Sequence, residues 1–198
     1  FITIDGGEGG TGAAPPSFAD HVSLPWVYGF SSLYKLFLDR ELTDRIVFIG
    51  SGKLGFPAKA AMAFAMGVDC INVAREAMMS IGCIQAQVCH TNRCPTGIAT
   101  QKKWLQNGID VPLKSDRLGQ YFKSFRKELL EITHAAGYEH PCQFHMEDVQ
   151  VNVDDTELNR NLRATYKYQK HPVPFTSVQD LLNCNYLGGQ LAGDKNKS

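Results

Sequence analysis

Three cysteines crowd into a dozen residues of this chain, spaced Cys83-x5-Cys89-x4-Cys94 and followed at once by Pro95. Three thiolates on one compact loop can converge on a single metal centre, a reading their clustering favours over small packed apolar residues, and a proline directly after the last cysteine also occurs in ferredoxin-type iron-sulfur runs. A set of only three thiolates suits a three-iron cluster, because the fourth corner of a cubane would lack a protein ligand. Zinc could use the same thiolates with His90 as a fourth ligand, although the adjacent Cys89 and His90 point in divergent directions, which weakens that alternative. Cys70, Cys142 and Cys184 lie apart from the cluster and from one another, and are expected to be packed thiols.

Two glycine loops could approach a phosphate. Gly7 to Gly12 and Gly50 to Gly55 both match G-x-G-x-x-G. The first runs into Pro15-Pro16, and tandem prolines turn the chain away from helix where a dinucleotide fold would begin one. The second follows an apolar run and leads through Phe56-Pro57 into a helical pattern. A Rossmann site for NAD would then want an acidic residue after the next strand, whereas Val68 to Val73 leads to Ala74-Arg75. Arg75 could serve a 2′-phosphate, so an NADP-binding Rossmann-like domain stays open as an alternative. Common to both readings is simpler physics: glycines after a strand let backbone N–H groups approach a phosphate, and the following helix N-terminus adds a favourable dipole. In a (βα)8 barrel the loops after strands seven and eight make such a site.

These loops need elements to hold them. Short β-rich runs at Phe1 to Ile4, Arg45 to Ile49 (with Gly50 as its end) and Val68 to Val73 alternate with helical patterns at Gly29 to Leu42, Ala58 to Met66 after Pro57, and Arg75 to Gln87. That alternation predicts three βα units with parallel strands. Beyond the cysteines, Ser115 to Ala136 predicts a long amphipathic helix, with Leu118, Tyr121, Phe122, Phe125, Leu129 and Ile132 on one stripe and Gly137 as its stop. After Pro141 the composition turns polar and punctuated, which predicts a weakly structured extension with helices near Glu157 to Tyr168 and Ser177 to Leu182. The division is therefore 1–144 and 145–198.

Composition narrows the function classes. The 198 residues are 43% apolar and carry no formal net charge, so a real core is possible and no basic footprint for nucleic acid or an anionic bilayer exists. No apolar stretch approaches the roughly 18 residues of a spanning helix, and no signal-peptide pattern is present. Clustered cysteines in a chain this long favour metal ligation in a reducing compartment, which points to the cytoplasm. The first residue, Phe1, stands inside an apolar run, which reads as part of something longer.

Taken together, Ile4-Asp-Gly-Gly-Glu-Gly-Gly-Thr-Gly-Ala-Ala-Pro15 and Gly82-Cys-Ile-Gln-Ala-Gln-Val-Cys-His-Thr-Asn-Arg-Cys-Pro-Thr-Gly-Ile-Ala-Thr-Gln101 resemble the FMN-binding synthase domain of glutamate synthases. The likeness runs from Phe1 to about Phe144 and looks closest to shorter members without a glutaminase domain. It implies the C-terminal portion of a (βα)8 TIM barrel, with the cysteine-rich loop inserted and a C-terminal helical extension. It implies FMN on Gly50, Ser51, Gly52, Lys53, Ala74 and Arg75, with Gly9 and Gly10 facing the flavin, and a 3Fe-4S cluster on Cys83, Cys89 and Cys94. The double glycine of the family after strand seven is here Gly50-Ser51-Gly52. Glu8 and His21 could be polar groups at the barrel mouth, although surface or loop roles are the readier reading for both; Lys53 could place a positive charge near the flavin or its phosphate or be a solvated lysine; and no catalytic residue is assigned. The implied reaction is reductive amination of 2-oxoglutarate to L-glutamate, with ammonia free or glutamine-derived and electrons from ferredoxin or an NAD(P)H-oxidising subunit. The isolated chain is expected to be inactive. The alternative from another class is a non-catalytic Cys/His zinc-binding module.

Overall fold

A computed structural model describes residues 1–9, 12, 14–152 and 160–169. The chain is an α/β protein built on a parallel sheet. Strands β1 (Ile2–Asp5), β2 (Phe48–Ser51) and β3 (Cys70–Asn72) lie side by side in chain order. Ile2 pairs with Phe48 and Ile49 with Cys70, both parallel. Parallel neighbours need a crossover. Here α1 (Pro16–His21) and α2 (Trp26–Leu38) connect β1 to β2, and α3 (Pro57–Ala65) connects β2 to β3. Among the described residues β1 and β3 are each paired along one side.

The core follows from aromatic residues at helical spacing on α2. Trp26, Phe30 and Tyr34 are buried and meet Phe48 of β2, with Trp26 and Phe30 rings 4.9 Å apart and Tyr34 and Phe48 also 4.9 Å apart. The predicted helix at Gly29 to Leu42 is thus displaced toward the N-terminus. Pro25 supplies a fixed extended turn before Trp26, and Leu36 is exposed. The second strand also starts later than expected. Thr43–Arg45 form a 3-10 turn, and the strand runs through Gly50 rather than ending before it, because Gly50 pairs with both Ile4 and Ile71.

Beyond β3 come α4 (Arg75–Ser80), the cysteine loop, α5 (Lys103–Gln106) and α6 (Val111–Ala135). The long helix begins four residues before the predicted Ser115, since the Asp110 side chain accepts the Leu113 N–H at 3.0 Å and Pro112 sits in the first turn. It packs on α3 and α4 through Tyr121, Phe125 and Leu129, while Phe122 and Ile132 of the predicted stripe are exposed. Residues after 144 also enter the core. Met146, Leu162 and Tyr168 are buried, a two-stranded antiparallel ribbon joins β4 (Gln150–Val151) to β5 (Arg160–Asn161), and α7 (Leu162–Tyr166) follows. Residues 153–159 and 170–198 lie outside the described set, and with them the predicted helix at Ser177 to Leu182 and Cys184. No described helix is long and apolar enough to cross a membrane.

Candidate functional site

The first cysteine is placed by the end of a helix. Arg75 to Gln87 was expected to be one helix, but α4 stops at Ser80. Gly82 adopts φ +106, its N–H donates to Met79 O at 3.0 Å, and the Cys83 N–H donates to Met78 O at 3.0 Å. That pair of bonds is a Schellman motif, which only a residue free to enter the left-handed region completes without strain. Cys83 is thereby anchored as the first residue past a finished helix.

From there the loop winds through non-glycine residues of positive φ, Gln85 at +53, Gln87 at +56 and Asn92 at +60. Left-handed conformations of this kind persist where surrounding contacts over-determine them and gather at functional sites. A short 3-10 turn, Cys89–Thr91, presents the second cysteine. Cys94 is buried at 6% exposure. Burial opposes ionisation of its thiol, but hydrogen bonds from the Thr96 hydroxyl at 3.3 Å and from the N–H groups of Ala99, Thr96 and Ile98 outweigh it and bring the thiol down to about 7. Such donors stabilise sulfur as an anion, the form in which it binds metal.

Cys83, Cys89 and Cys94 border one small cavity whose other walls are mostly apolar, among them Ile84, Val88, Pro95 and Ile98, with Gln87 and Thr96 as polar neighbours and no charged side chain. A soft, sulfur-binding centre fits this donor set. Among the described residues no three His, Cys, Asp or Glu side chains already stand gathered as a metal site, so the thiols share the wall without closing on a point. His90 borders a neighbouring, larger cavity and not the one that all three cysteines share.

That larger cavity, about 330 Å³, is where three loops meet. Gly9 and Gly12 come from the loop after β1, Ala74 and Arg75 from the loop after β3, and Cys83, Gln85, Gln87, Cys89 and His90 from the cysteine loop. A β-carbon on Gly9 would stand 3.0 Å from the Arg75 guanidinium, so glycine there permits the close approach. Arg75 in turn donates to Asp20 of α1 at 2.9 Å. The cation on the wall is thus held from the side of the first glycine loop.

Gly50, Ser51, Gly52 and Lys53 do not border this cavity. A β-carbon on Gly52 would lie 2.5 Å from that of Trp26, so this glycine makes room for the tryptophan beneath the loop. Lys53 turns at φ +53. Glu8 accepts the Trp26 N–H at 2.6 Å and so satisfies an orphan donor at the start of α2, while its second carboxylate oxygen is buried with no partner among the described residues. The loop after β2 is fixed from the far side as well. The Tyr121 hydroxyl of α6 donates to Gly55 O at 2.7 Å, and burial with the nearby Glu76 carboxylate pushes its ionisation up to about 12, keeping it a donor. Gly10 lies outside the described residues, and of His21 only its place at the end of α1 is described.

Cys70 departs from expectation: it is exposed on β3 rather than packed, because the strand carries it on an outward face. Cys142 is half-buried with its sulfur 2.9 Å from His140 Nδ1. Sequence reading missed Asp20, Thr96, Asn92 and Thr100 as supports of the site. Only Asn92 carried a local signal, since asparagine tolerates the left-handed turn.

Comparison with known proteins gives the same neighbourhood. A family model described as a conserved region in glutamate synthase matches residues 1–139. The chain is 43% identical over 158 residues to a glutamate synthase large subunit-like protein, YerD, of Bacillus subtilis, covering 80% of this chain and 30% of that protein. It is 36% identical over 139 residues to the ferredoxin-dependent glutamate synthase of Pyropia yezoensis, covering 70% and 9%. It is 34% identical over 136 residues to an archaeal NADPH glutamate synthase of Methanocaldococcus jannaschii, covering 69% and 27%. The chain thus spans less than a third of the length of each of these relatives.

Proposed function

The chain belongs to the glutamate synthase family, and on that premise we propose that it forms the cluster loop and the phosphate end of the flavin site in a glutamate synthase-type oxidoreductase. In this reading β1, β2 and β3 are the closing strands of a (βα)8 barrel, residues 1–144 are the C-terminal part of the FMN-binding domain, and 145–198 are an extension. The observation that carries it is the meeting of the first glycine loop, the Ala74-Arg75 turn and the cysteine loop around one cavity.

Cys83, Cys89 and Cys94 would hold a 3Fe-4S cluster, and Arg75, Ala74, Gly9 and Gly10 would hold FMN; Gly50 to Lys53, the other loop the family resemblance assigns to the phosphate, stand outside the cavity and would have to meet the phosphate beyond its edge. Bound there, the two groups supply electron relay and hydride transfer for reductive amination of 2-oxoglutarate to L-glutamate. The residues of this chain do the positioning. Arg75 offers a fixed positive charge to an anionic ligand, Gly9 lets that ligand and the guanidinium approach closely, and the mostly apolar wall suits a soft sulfur-bound centre. Electrons would come from ferredoxin or an NAD(P)H-oxidising subunit, and ammonia from solution or from glutamine.

Full-length protein purified without oxygen is the test. Close to three iron atoms and one FMN per chain are expected, with Cys94→Ser losing the iron and keeping the flavin. Stoichiometric zinc in a colourless protein would overturn the reading. The 198-residue chain alone is expected to form no glutamate, since the three parallel strands among its described residues do not enclose a flavin.

A further inference from the structure

Between Cys89 and Cys94 the chain reverses at Asn92, and a set of hydrogen bonds holds that reversal in place. The Asn92 Oδ1 accepts the Gln101 N–H at 2.6 Å. Because that backbone group only donates, the atom facing it is the amide oxygen. The Thr100 hydroxyl shares its one proton between Asn92 Oδ1 at 2.8 Å and the Asn92 carbonyl at 2.9 Å. The Lys102 N–H donates to the Thr100 hydroxyl at 3.2 Å, and Gln106 Nε2 donates to Thr100 O at 2.6 Å, tying the arrangement to α5. Thr100 is buried at 6% exposure.

Neither side chain borders the cavity shared by the three thiols. Their bonds instead fix the segment that carries two of those thiols to the segment that follows it. The left-handed turn at Asn92 is one that asparagine tolerates better than other side chains, and the clasp holds it in that conformation. Without the side-chain acceptor at position 92, the Gln101 N–H bond and one of the two Thr100 bonds are lost, the turn is free to relax and the spacing of Cys89 from Cys94 is no longer set.

We propose that Asn92 and Thr100 are positioning residues that set the Cys89–Cys94 geometry for loading of the metal centre. The inference rests on the iron-sulfur reading above. Three variants of the full-length protein separate the two: Asn92→Gly keeps the backbone freedom and removes the acceptor, Thr100→Val keeps the shape and removes the hydroxyl, and Asn92→Asp keeps an acceptor. Iron and acid-labile sulfide per chain, the electron paramagnetic resonance spectrum of the oxidised cluster, and FMN per chain are measured after anaerobic purification.

Asn92→Gly and Thr100→Val are expected to lower iron per chain at least two-fold and to alter the spectrum of what remains, with FMN at the wild-type level, while Asn92→Asp retains the cluster. Wild-type iron and spectrum in both of the first two variants overturns the inference alone. Equal loss of iron and FMN in both assigns the clasp to general folding and also overturns it, as does an Asn92→Asp variant as poor in iron as Asn92→Gly. Wild-type protein without iron overturns the cluster reading and the inference together.

Discussion

The Arg75 guanidinium lies 2.9 Å from the Asp20 carboxylate, across the cavity edge between the loop after β3 and the short helix after β1. Both side chains keep a fraction of their surface in solvent, 32% and 23%. An anion arriving at Arg75 therefore meets a cation that already has a partner and must share it.

Asp20→Asn removes the competing charge and should leave FMN binding as tight as in the wild type or tighter. Arg75→Gln should raise the FMN dissociation constant about ten-fold, the low end for a hydrogen bond to a charged group. Titration of apo-protein with FMN, followed by quenching of flavin fluorescence, reads both. An Arg75→Gln variant that binds FMN as well as wild type would remove Arg75 from the site.

The turn after Cys94 should be equally exacting. Gly97 has φ +77, and a β-carbon there would stand 2.4 Å from Leu105 O, a backbone atom that cannot swing aside. Gly97→Ala is expected to destabilise the full-length protein by roughly 2 kcal/mol or more, from the left-handed backbone and the clash together. Gly108→Ala is the control, since its β-carbon would meet the same oxygen at an ordinary 3.5 Å. It should change stability by less than about 0.5 kcal/mol in urea unfolding. Equal stability of the two variants would count against the packing of the cysteine loop on α5.

Asp69 gives stability a pH dependence of definite sign. The residue lies at the surface, yet its carboxylate accepts the Phe48 N–H at the start of β2 at 2.7 Å. Burial raises its ionisation from 3.8 to about 6, against the lowering effect of that bond. The folded form then holds its proton more tightly than the unfolded form. Its stabilising contribution is complete below pH 3.8 and is lost as pH rises through about 6. Asp69→Asn should flatten the unfolding midpoint across that interval relative to wild type in thermal melts. A variant with the same pH slope would assign the dependence to other groups.

Much of the scaffold was legible because its signals are local. Pro57 at a helix start and Gly137 after a helix end stand as their residue types predict. The three strands were readable from apolar runs, though Arg45 fell in a turn, because β-rich composition does not separate a strand from its lead-in. The end of α4 was misjudged since Met and Ala favour helix as far as Ser80, and the stop depends on a bond pattern at Gly82 and Cys83. Long-range partners were not legible at all. Asp20 and Arg75 are 55 positions apart, and nothing near either residue announces the other. The clustering of the thiols was readable from spacing, but the Thr96 and backbone donors around Cys94 emerge only when the loop closes.

The open sides of the parallel sheet bear on how this polypeptide behaves when produced by itself. Along β1 and along β3, among the described residues, one row of peptide groups faces no neighbouring strand. Exposed rows of that kind template the addition of further strands, and proteins that must display them guard them with charged side chains. Such gatekeepers are sparse here: Asp5 is the single charge in β1, and β3, Cys70-Ile71-Asn72, has none. Edge-to-edge polymers are the natural hazard of these 198 residues in isolation.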